Sequence, residues 1–365
     1  MEEKLTIFLL GRSKEFRDMK QYKSLDAAKF VCAILIIILH TAPFSSYSKI
    51  LTFGFRNIVT VIAVPFFFTT SGFLAFQKVE SLEEKAKNCY IGAYLRRLAI
   101  MYLIWSAVYF GFVVVKWVRK GFSAYFVLEY IRDFFFEGSY STIWFLPALF
   151  SAVLFVYLLR KKYGYRTIFG ISCFIYLFTL GGSSYYGLVT KIPMVKMVYD
   201  QYYSFFDTIK NGVCFGMIYV SMGALLAEKE GTASKDWPMK KAILQLAVIA
   251  VLLAVEEFMI AYFDWNTRGV DTTIMLVPFS YVLMRILFMI ELNVSNSACI
   301  AMRKYSILLF LCQRIPLSVI DLFMADTMVK RNSLLYFAAV LSSTFLIAYL
   351  LINASKKFQI LKWAF

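Results

Sequence analysis

Leu25-Asp26-Ala27-Ala28-Lys29-Phe30-Val31-Cys32-Ala33-Ile34-Leu35-Ile36-Ile37-Ile38-Leu39-His40 is an apolar run that opens with Leu25-Asp26, carries Lys29 as the one strong charge in the body that follows, and ends on the chain's one histidine. On a helix the eleven-residue step from Lys29 to His40 is about 1100°, three turns plus roughly 20°, so both side chains point the same way. Along the axis they lie about 16 Å apart. An ammonium and an imidazole on one face of a membrane helix are costly enough to imply a shared task.

The surrounding composition places that helix in a bilayer. Hydrophobic residues make up 60% of the 365 and aromatics 18%, and the mean hydropathy is +0.67. A soluble chain averages about 45–50% apolar, and the excess needs lipid to accept it. The net charge of +16 is scattered through short inter-helix loops, which reads as topology and lipid-surface charge, not as nucleic-acid binding. Six cysteines occur without a CxxC or a metal-like pairing, most of them inside apolar runs. No metal site and no permanently bound cofactor are expected. The first 24 residues are basic and the next run is long enough to span, so no cleavable signal is expected.

Runs of spanning length fall at 26–44, 58–76, 94–115, 143–159, 167–189, 208–227, 242–262, 273–291, 305–325 and 333–352. Each reaches or approaches the roughly 20 residues that a bilayer helix needs. The predicted fold is therefore all-α, a polytopic transmembrane bundle of about ten spans. Lys and Arg concentrate in the amino-terminal tail, in alternate loops and at Lys356, Lys357 and Lys362, which predicts that both termini are cytoplasmic. Residues 1–24 read as a basic cytoplasmic tail, 25–354 as one membrane domain and 355–365 as a second tail. A Walker loop, a GxGxxG before a helix, an HExxH and a GxSxG are all missing.

With that topology Lys29, Arg96, Arg97 and Arg285 lie toward the cytoplasmic side. His40, Lys210, Asn211, Glu256, Glu257 and Asp321 lie toward the outer one. Four cations make a seat for phosphates, although Arg96 and Arg97 also read as anchors that snorkel to headgroups. His40 reads either as an interfacial histidine bonded to a carbonyl or as a general base for a hydroxyl, its ring oriented by an outer carboxylate. Glu256 and Glu257 point about 100° apart, so at most one faces the same cavity. Gln313-Arg314-Ile315-Pro316 interrupts the ninth span; Arg314 either lines a polar cavity there or pairs with Asp321 two turns on.

These pieces together resemble the acyltransferase 3 family of bacterial integral-membrane acyltransferases. The likeness runs from Ser24 to about Ala354. Its carriers are Leu25 to His40, Val64-Pro65-Phe66-Phe67-Phe68-Thr69-Thr70-Ser71-Gly72-Phe73-Leu74, the Arg96-Arg97 pair opening the third helix, Ile143-Trp144-Phe145-Leu146-Pro147-Ala148-Leu149, and Lys210-Asn211-Gly212 with Phe215-Gly216 and Gly223. The resemblance implies a multi-pass protein of the bacterial cell membrane. It would move an acyl group, usually acetyl, from cytoplasmic acyl-CoA as co-substrate to a hydroxyl of an envelope glycan, a lipid-linked sugar or a small exported molecule. It implies His40 as the catalytic residue, with the basic residue eleven positions earlier completing the motif. Lys29 stands where arginine is commoner, and Gln313 where many members carry histidine.

On this reading Lys29, Arg96, Arg97 and Arg285 hold the CoA end. The roughly 16 Å to His40 is comparable to an extended pantetheine arm. Trp144, Lys210, Asn211, Glu256 and Glu257 are the candidates for the acceptor side, and a transient acyl-imidazole stays open. Two rivals stand beside it. One is a transporter of a serine-like amino acid, related to the membrane domains of vancomycin-resistance serine racemases, or a flippase of lipid-linked sugars. The other is an inactive scaffold.

Overall fold

The computed structural model describes residues 22–229, 238–265, 268–269, 271–325 and 327–365. Most of the basic amino-terminal tail and Lys235 lie outside the described residues. Helices α1 (Lys23–Thr41), α2 (Lys49–Glu80), α3 (Glu84–Lys120), α8 (Gly212–Lys229), α9 (Met239–Tyr262), α11 (Asn296–Phe323) and α12 (Ser333–Lys357) are long and apolar enough to cross a membrane. Two shorter apolar helices, α5 (Phe145–Arg160) and α10 (Leu276–Met289), and α6 (Tyr165–Gly182) occupy the remaining runs. Two more, α4 (Ala124–Phe136) and α7 (Pro193–Tyr203), fall in the loops between them. A helical transmembrane bundle is the fold, and every apolar run of the sequence is helical in it.

One boundary differs from expectation. The Arg96-Arg97 pair does not open its helix, because α3 begins at Glu84, some three turns earlier. Glu84-Lys85-Ala86-Lys87 are strong helix formers, so the helix continues past the end of the apolar segment.

The bundle is centred on α2 and α8. Their backbones meet where Gly72 faces Val220 and Gly223 faces Thr69 and Phe73. Small residues permit such close approach, which supplies dispersion and packing where lipid gives no hydrophobic drive between helices. Around this pair lie Phe66, Phe68, Phe73, Phe76 and Tyr219, all fully buried. Peripheral helices do the reverse. On α9, Ile243, Leu244, Val248, Val251, Val255 and Phe258 are exposed, as are Leu346, Tyr349 and Leu350 on α12. Apolar side chains turned outward on rim helices are the mark of a protein whose surroundings are hydrocarbon.

Helices α1 and α11 run parallel, which two cross-links show. Asp26 pairs with Arg303 and His40 with Arg314, in the same order along both helices. The end of α1 is fixed by Ala42 in the left-handed conformation at φ 44, whose N–H reaches back to the Ile38 carbonyl. A non-glycine there costs about 1–2 kcal/mol, and the turn holds His40 in the last turn of the helix.

A methyl added at Gly223 would lie 2.6 Å from the Phe73 backbone nitrogen. Gly223→Ala therefore overpacks a backbone contact that no rotamer can relieve, and should cost about 1–3 kcal/mol. A lowered thermal midpoint in detergent, with a smaller monodisperse yield, is the expected reading.

Candidate active site

The Lys29–His40 stripe faces α11, not the rim. At one level Asp26 accepts two hydrogen bonds from Arg303, at 3.1 and 2.7 Å, and pairs with Lys29 at 3.3 Å. One carboxylate thus holds two cations, with Lys29 largely buried and Arg303 more open. At the other level the His40 Nδ1 lies 3.2 Å from Arg314 Nη2. A guanidinium only donates, so Nδ1 accepts and Nε2 carries the ring proton.

Arg314 is placed by the break in α11. The helix is interrupted at Gln313, with Pro316 following, where proline removes a backbone donor and bends the chain. Tyr109 donates to the Leu311 carbonyl just before the break. Gln313 is buried and donates to the Phe310 carbonyl at 3.0 Å. Arg314 Nη2 also donates to Ser141 Oγ at 2.7 Å. Ser141 follows a loop that is itself fixed: Gly138 turns at φ +94, Ser139 N–H donates to the Tyr102 hydroxyl at 2.8 Å, and Tyr140 and Ser318 share a hydrogen bond of 2.6 Å. Tyr140 stacks on Tyr109 with ring centroids 4.8 Å apart.

Two expectations are corrected at this point. Arg314 does not pair with Asp321, which takes Lys330 as its partner and accepts from the Tyr336 hydroxyl at 3.1 Å. Both stand on the same helical segment after the break, two turns apart, and each takes partners from elsewhere: Arg314 reaches His40 and Ser141, and Asp321 meets Lys330 and Tyr336. Nor does an outer carboxylate orient His40; among the described residues the ring's hydrogen-bond partner is Arg314.

The outer polar residues take different places. Glu256 accepts from the N–H groups of Ile274 and Met275 at 2.7 and 2.9 Å and from the Tyr185 hydroxyl, so it caps α10. Asn211 caps the π-type first turn of α8 through Val213 and Cys214 N–H, and its amide donates to Tyr202. Gly212 lets that turn press on Ala148 and Ser151. Lys210 pairs with Asp271. Glu257 is 1% exposed; Asn57, in a π-type turn of α2, donates to one of its oxygens at 3.4 Å, and the other has no partner. A small cavity of about 20 Å³, enough for one water, is lined by Leu39, Thr60, Trp144, Phe215, Lys210 and Asp271 among others. It joins the neighbour of His40 to the Lys210–Asp271 pair.

Of the other basic candidates, Arg97 donates to the Phe365 oxygen at 3.0 Å. Arg96 is exposed, and Arg285 lies 6.0 Å from the Tyr281 ring. Tyr22 packs on Phe288 at 5.1 Å, and Ser24 donates to the Leu287 carbonyl at 2.6 Å. The Lys29 end of α1 and the Arg285 half of α10 therefore share one end of the bundle. Arg303, absent from the expected set, joins Lys29 there.

A family model described as an acyltransferase domain matches residues 22–353, nearly the whole chain. The chain belongs to the acyltransferase 3 family. The His40–Arg314 pair lies inside the matched region. Two amino-acid racemases of Enterococcus faecalis are similar to it. One is 27% identical over 73% of this chain and 36% of its own length, and the other 25% identical over 93% and 47%. A serine/alanine racemase of Enterococcus gallinarum is 20% identical over 64% of this chain and 33% of its own length. The chain spans less than half the length of each. No solved structure matches it.

Removing the shared carboxylate should be the costliest change at the Lys29 level. Asp26→Ala leaves Lys29 without its counter-charge, at a cost of about 3 kcal/mol, the low end for a buried pair because Arg303 is 46% exposed. Arg303→Ala, which leaves the Lys29–Asp26 pair standing, should cost less than half as much. Thermal midpoints of the two variants in detergent give the comparison.

Proposed function

We propose that this protein transfers an acyl group, acetyl in the simplest case, from cytoplasmic acyl-CoA to a hydroxyl of an envelope or exported acceptor. The observation that carries the reading is the α1 stripe. It faces α11 along its length, with Lys29 among cations at one end and His40 hydrogen-bonded to Arg314 at the other.

The chemistry follows from the donors. Lys29 and Arg303, with Arg96, Arg97 and Arg285 toward the same side, are the residues to neutralise CoA phosphates. The acceptor hydroxyl replaces Arg314 at Nδ1 and gives its proton to that nitrogen as its oxygen attacks the thioester carbonyl. The C–O bond forms and the C–S bond breaks; the imidazolium returns the proton to the departing CoA thiolate. Arg314, displaced by one hydrogen-bond length, is then the donor nearest the developing oxyanion. The reaction releases acyl ester and free CoA, and needs no other reactant.

One finding favours a second reading. The curated relatives are named for amino-acid and serine/alanine racemisation, and a membrane segment accompanying such an enzyme suits supply of a serine-like amino acid. Uptake of labelled serine by cells expressing the chain separates the two. Uptake that is saturable and survives His40→Ala favours transport.

Purified protein with radiolabelled acetyl-CoA and crude envelope acceptors tests the main reading. His40→Ala should lower transfer by about 10²–10⁴-fold, and Arg314→Ala by about 10²–10³-fold through the turnover number. Lys29→Ala should raise the donor KM by about tenfold or more, as expected for one charge-assisted bond, while Lys29→Arg is tolerated. Unchanged donor affinity in Lys29→Ala would remove the phosphate seat from this account.

A further inference from the structure

Arg314 is a partly buried cation for which the protein supplies no anion. At the Lys29 level of α1 and α11, the Asp26 carboxylate stands between two cations. At the His40 level the hydrogen-bond partners of Arg314, among the described residues, are the imidazole and the Ser141 hydroxyl, and its buried Nε has none. The one carboxylate on this segment of α11, Asp321, is engaged by Lys330 and Tyr336. A guanidinium without a counter-charge is costly inside a membrane protein and marks a ligand path. The oxyanion of the proposed transfer exists only during reaction, so it does not balance the resting charge.

A second cation is held by the same loop. Tyr140, directly before Ser141, shares a 2.6 Å hydrogen bond with Ser318, one turn past Arg314 and about 6 Å further along the axis. Lys116 Nζ lies 4.6 Å from the centroid of the Tyr140 ring. Tyr109, two turns before Lys116 on α3, stacks on that ring. The Tyr140-Ser141 dipeptide therefore touches Lys116 with one side chain and Arg314 with the other. Lys116 is exposed and, among the described residues, in no ion pair. Neighbouring cations are committed: Arg119 donates to the Leu322 carbonyl at 2.6 Å, and Arg132 pairs with Asp133 and Asp207. Ser141 is exposed as well, so its contact with Arg314 is open to an incoming ligand.

We infer that Arg314 and Ser141, with Lys116 across Tyr140, form a phosphate subsite, so that the hydroxyl compound this protein takes carries a phosphate near its hydroxyl. A guanidinium forks to two oxygens while a hydroxyl and an ammonium donate to others, and a phosphate has the oxygens and the charge to meet them all. This deepens the proposed function and rests on its placing of the acceptor at the His40 end. A phosphate at Ser141 draws Arg314 from Nδ1 as the hydroxyl arrives there, and so uncovers the base. Two ligand sources share this chemistry, a lipid headgroup and a soluble phosphorylated polyol.

Equilibrium binding to the full chain in phosphatidylcholine nanodiscs, with no acyl donor present, reads the subsite independently of transfer. The soluble pair of probes is glycerol 3-phosphate against glycerol. The lipid pair is short-chain phosphatidylglycerol against short-chain phosphatidylcholine. In at least one pair the first compound should bind about tenfold or more tightly, as expected for one charge-assisted bond. Lys116→Gln and Arg314→Gln should each erase most of that preference, and Lys116→Arg should keep it. Preference in the soluble pair assigns a soluble phosphate, and in the lipid pair a headgroup. Where Arg314→Gln does not yield monodisperse protein, Lys116→Glu is read in its place and should abolish the preference. Absence of preference in both pairs, or a preference that survives these substitutions, overturns the inference. Absence of acyl transfer with phosphate selectivity intact would instead count against the proposed function alone.

Discussion

Everything in the site depends on the parallel registry of α1 against α11. Charges inside a membrane protein must meet partners, and here the partners come at two heights from the same neighbouring helix. Asp26 meets Arg303, and His40 meets Arg314. The two arginines are separated by the same eleven residues as Lys29 and His40. A slip of one residue turns a helix by about 100°, which would unpair both heights at once. The register is therefore held by electrostatics at its ends and by Ile36, Ile37, Leu308 and Leu309 between them, all buried.

The apolar runs and the stripe on α1 were legible in the sequence because both depend on local periods, twenty residues of apolar length and 3.6 residues per turn. The partners were not. Arg303 stands before the apolar part of its span, and reads as a loop charge until α11 is seen to begin at Asn296. Arg314 and Asp321 share a face of one helical segment, but local spacing could not show that Arg314 is drawn to His40 and Ser141 and Asp321 to Lys330 and Tyr336. Which of two adjacent glutamates turns inward was reducible to a choice and no further, since the answer lies in where the first turn of α10 arrives beside Glu256. Asn211 did carry a signal, an Asn directly ahead of a helical stretch, which is a preferred cap.

Two π-type turns mark the outer half of the bundle, at Gly54–Val59 and Gly212–Gly216. Such turns insert an extra residue and re-aim those beside it, and they concentrate at functional sites. The first turns Asn57 inward to Glu257. The second lowers the backbone onto Ala148 and Ser151 and brings Phe215 against Trp144, with rings 6.0 Å apart. Residues from both turns or their flanks, Thr60, Phe215 and Lys210, line the small cavity beside Leu39. The departures from regular helix thus build the space beside Leu39.

A guanidinium on the ring proposed as the base makes a different device from a triad. In a triad a carboxylate accepts from one ring nitrogen and leaves the other free to take a proton. Here Arg314 donates to Nδ1, so the ring's lone pair is covered and the outward nitrogen bears a hydrogen. On the proposed reading the base is exposed only when something displaces Arg314, and the displaced guanidinium is the group that then stabilises the oxyanion. Activation of the nucleophile and of the thioester become one event. Water can accept from Nε2–H, but it gains a base only by breaking the Arg314 contact without the remaining acceptor contacts to offset the cost. Ser141, exposed and bonded to the same Arg314 nitrogen, offers the guanidinium a second anchor while it moves.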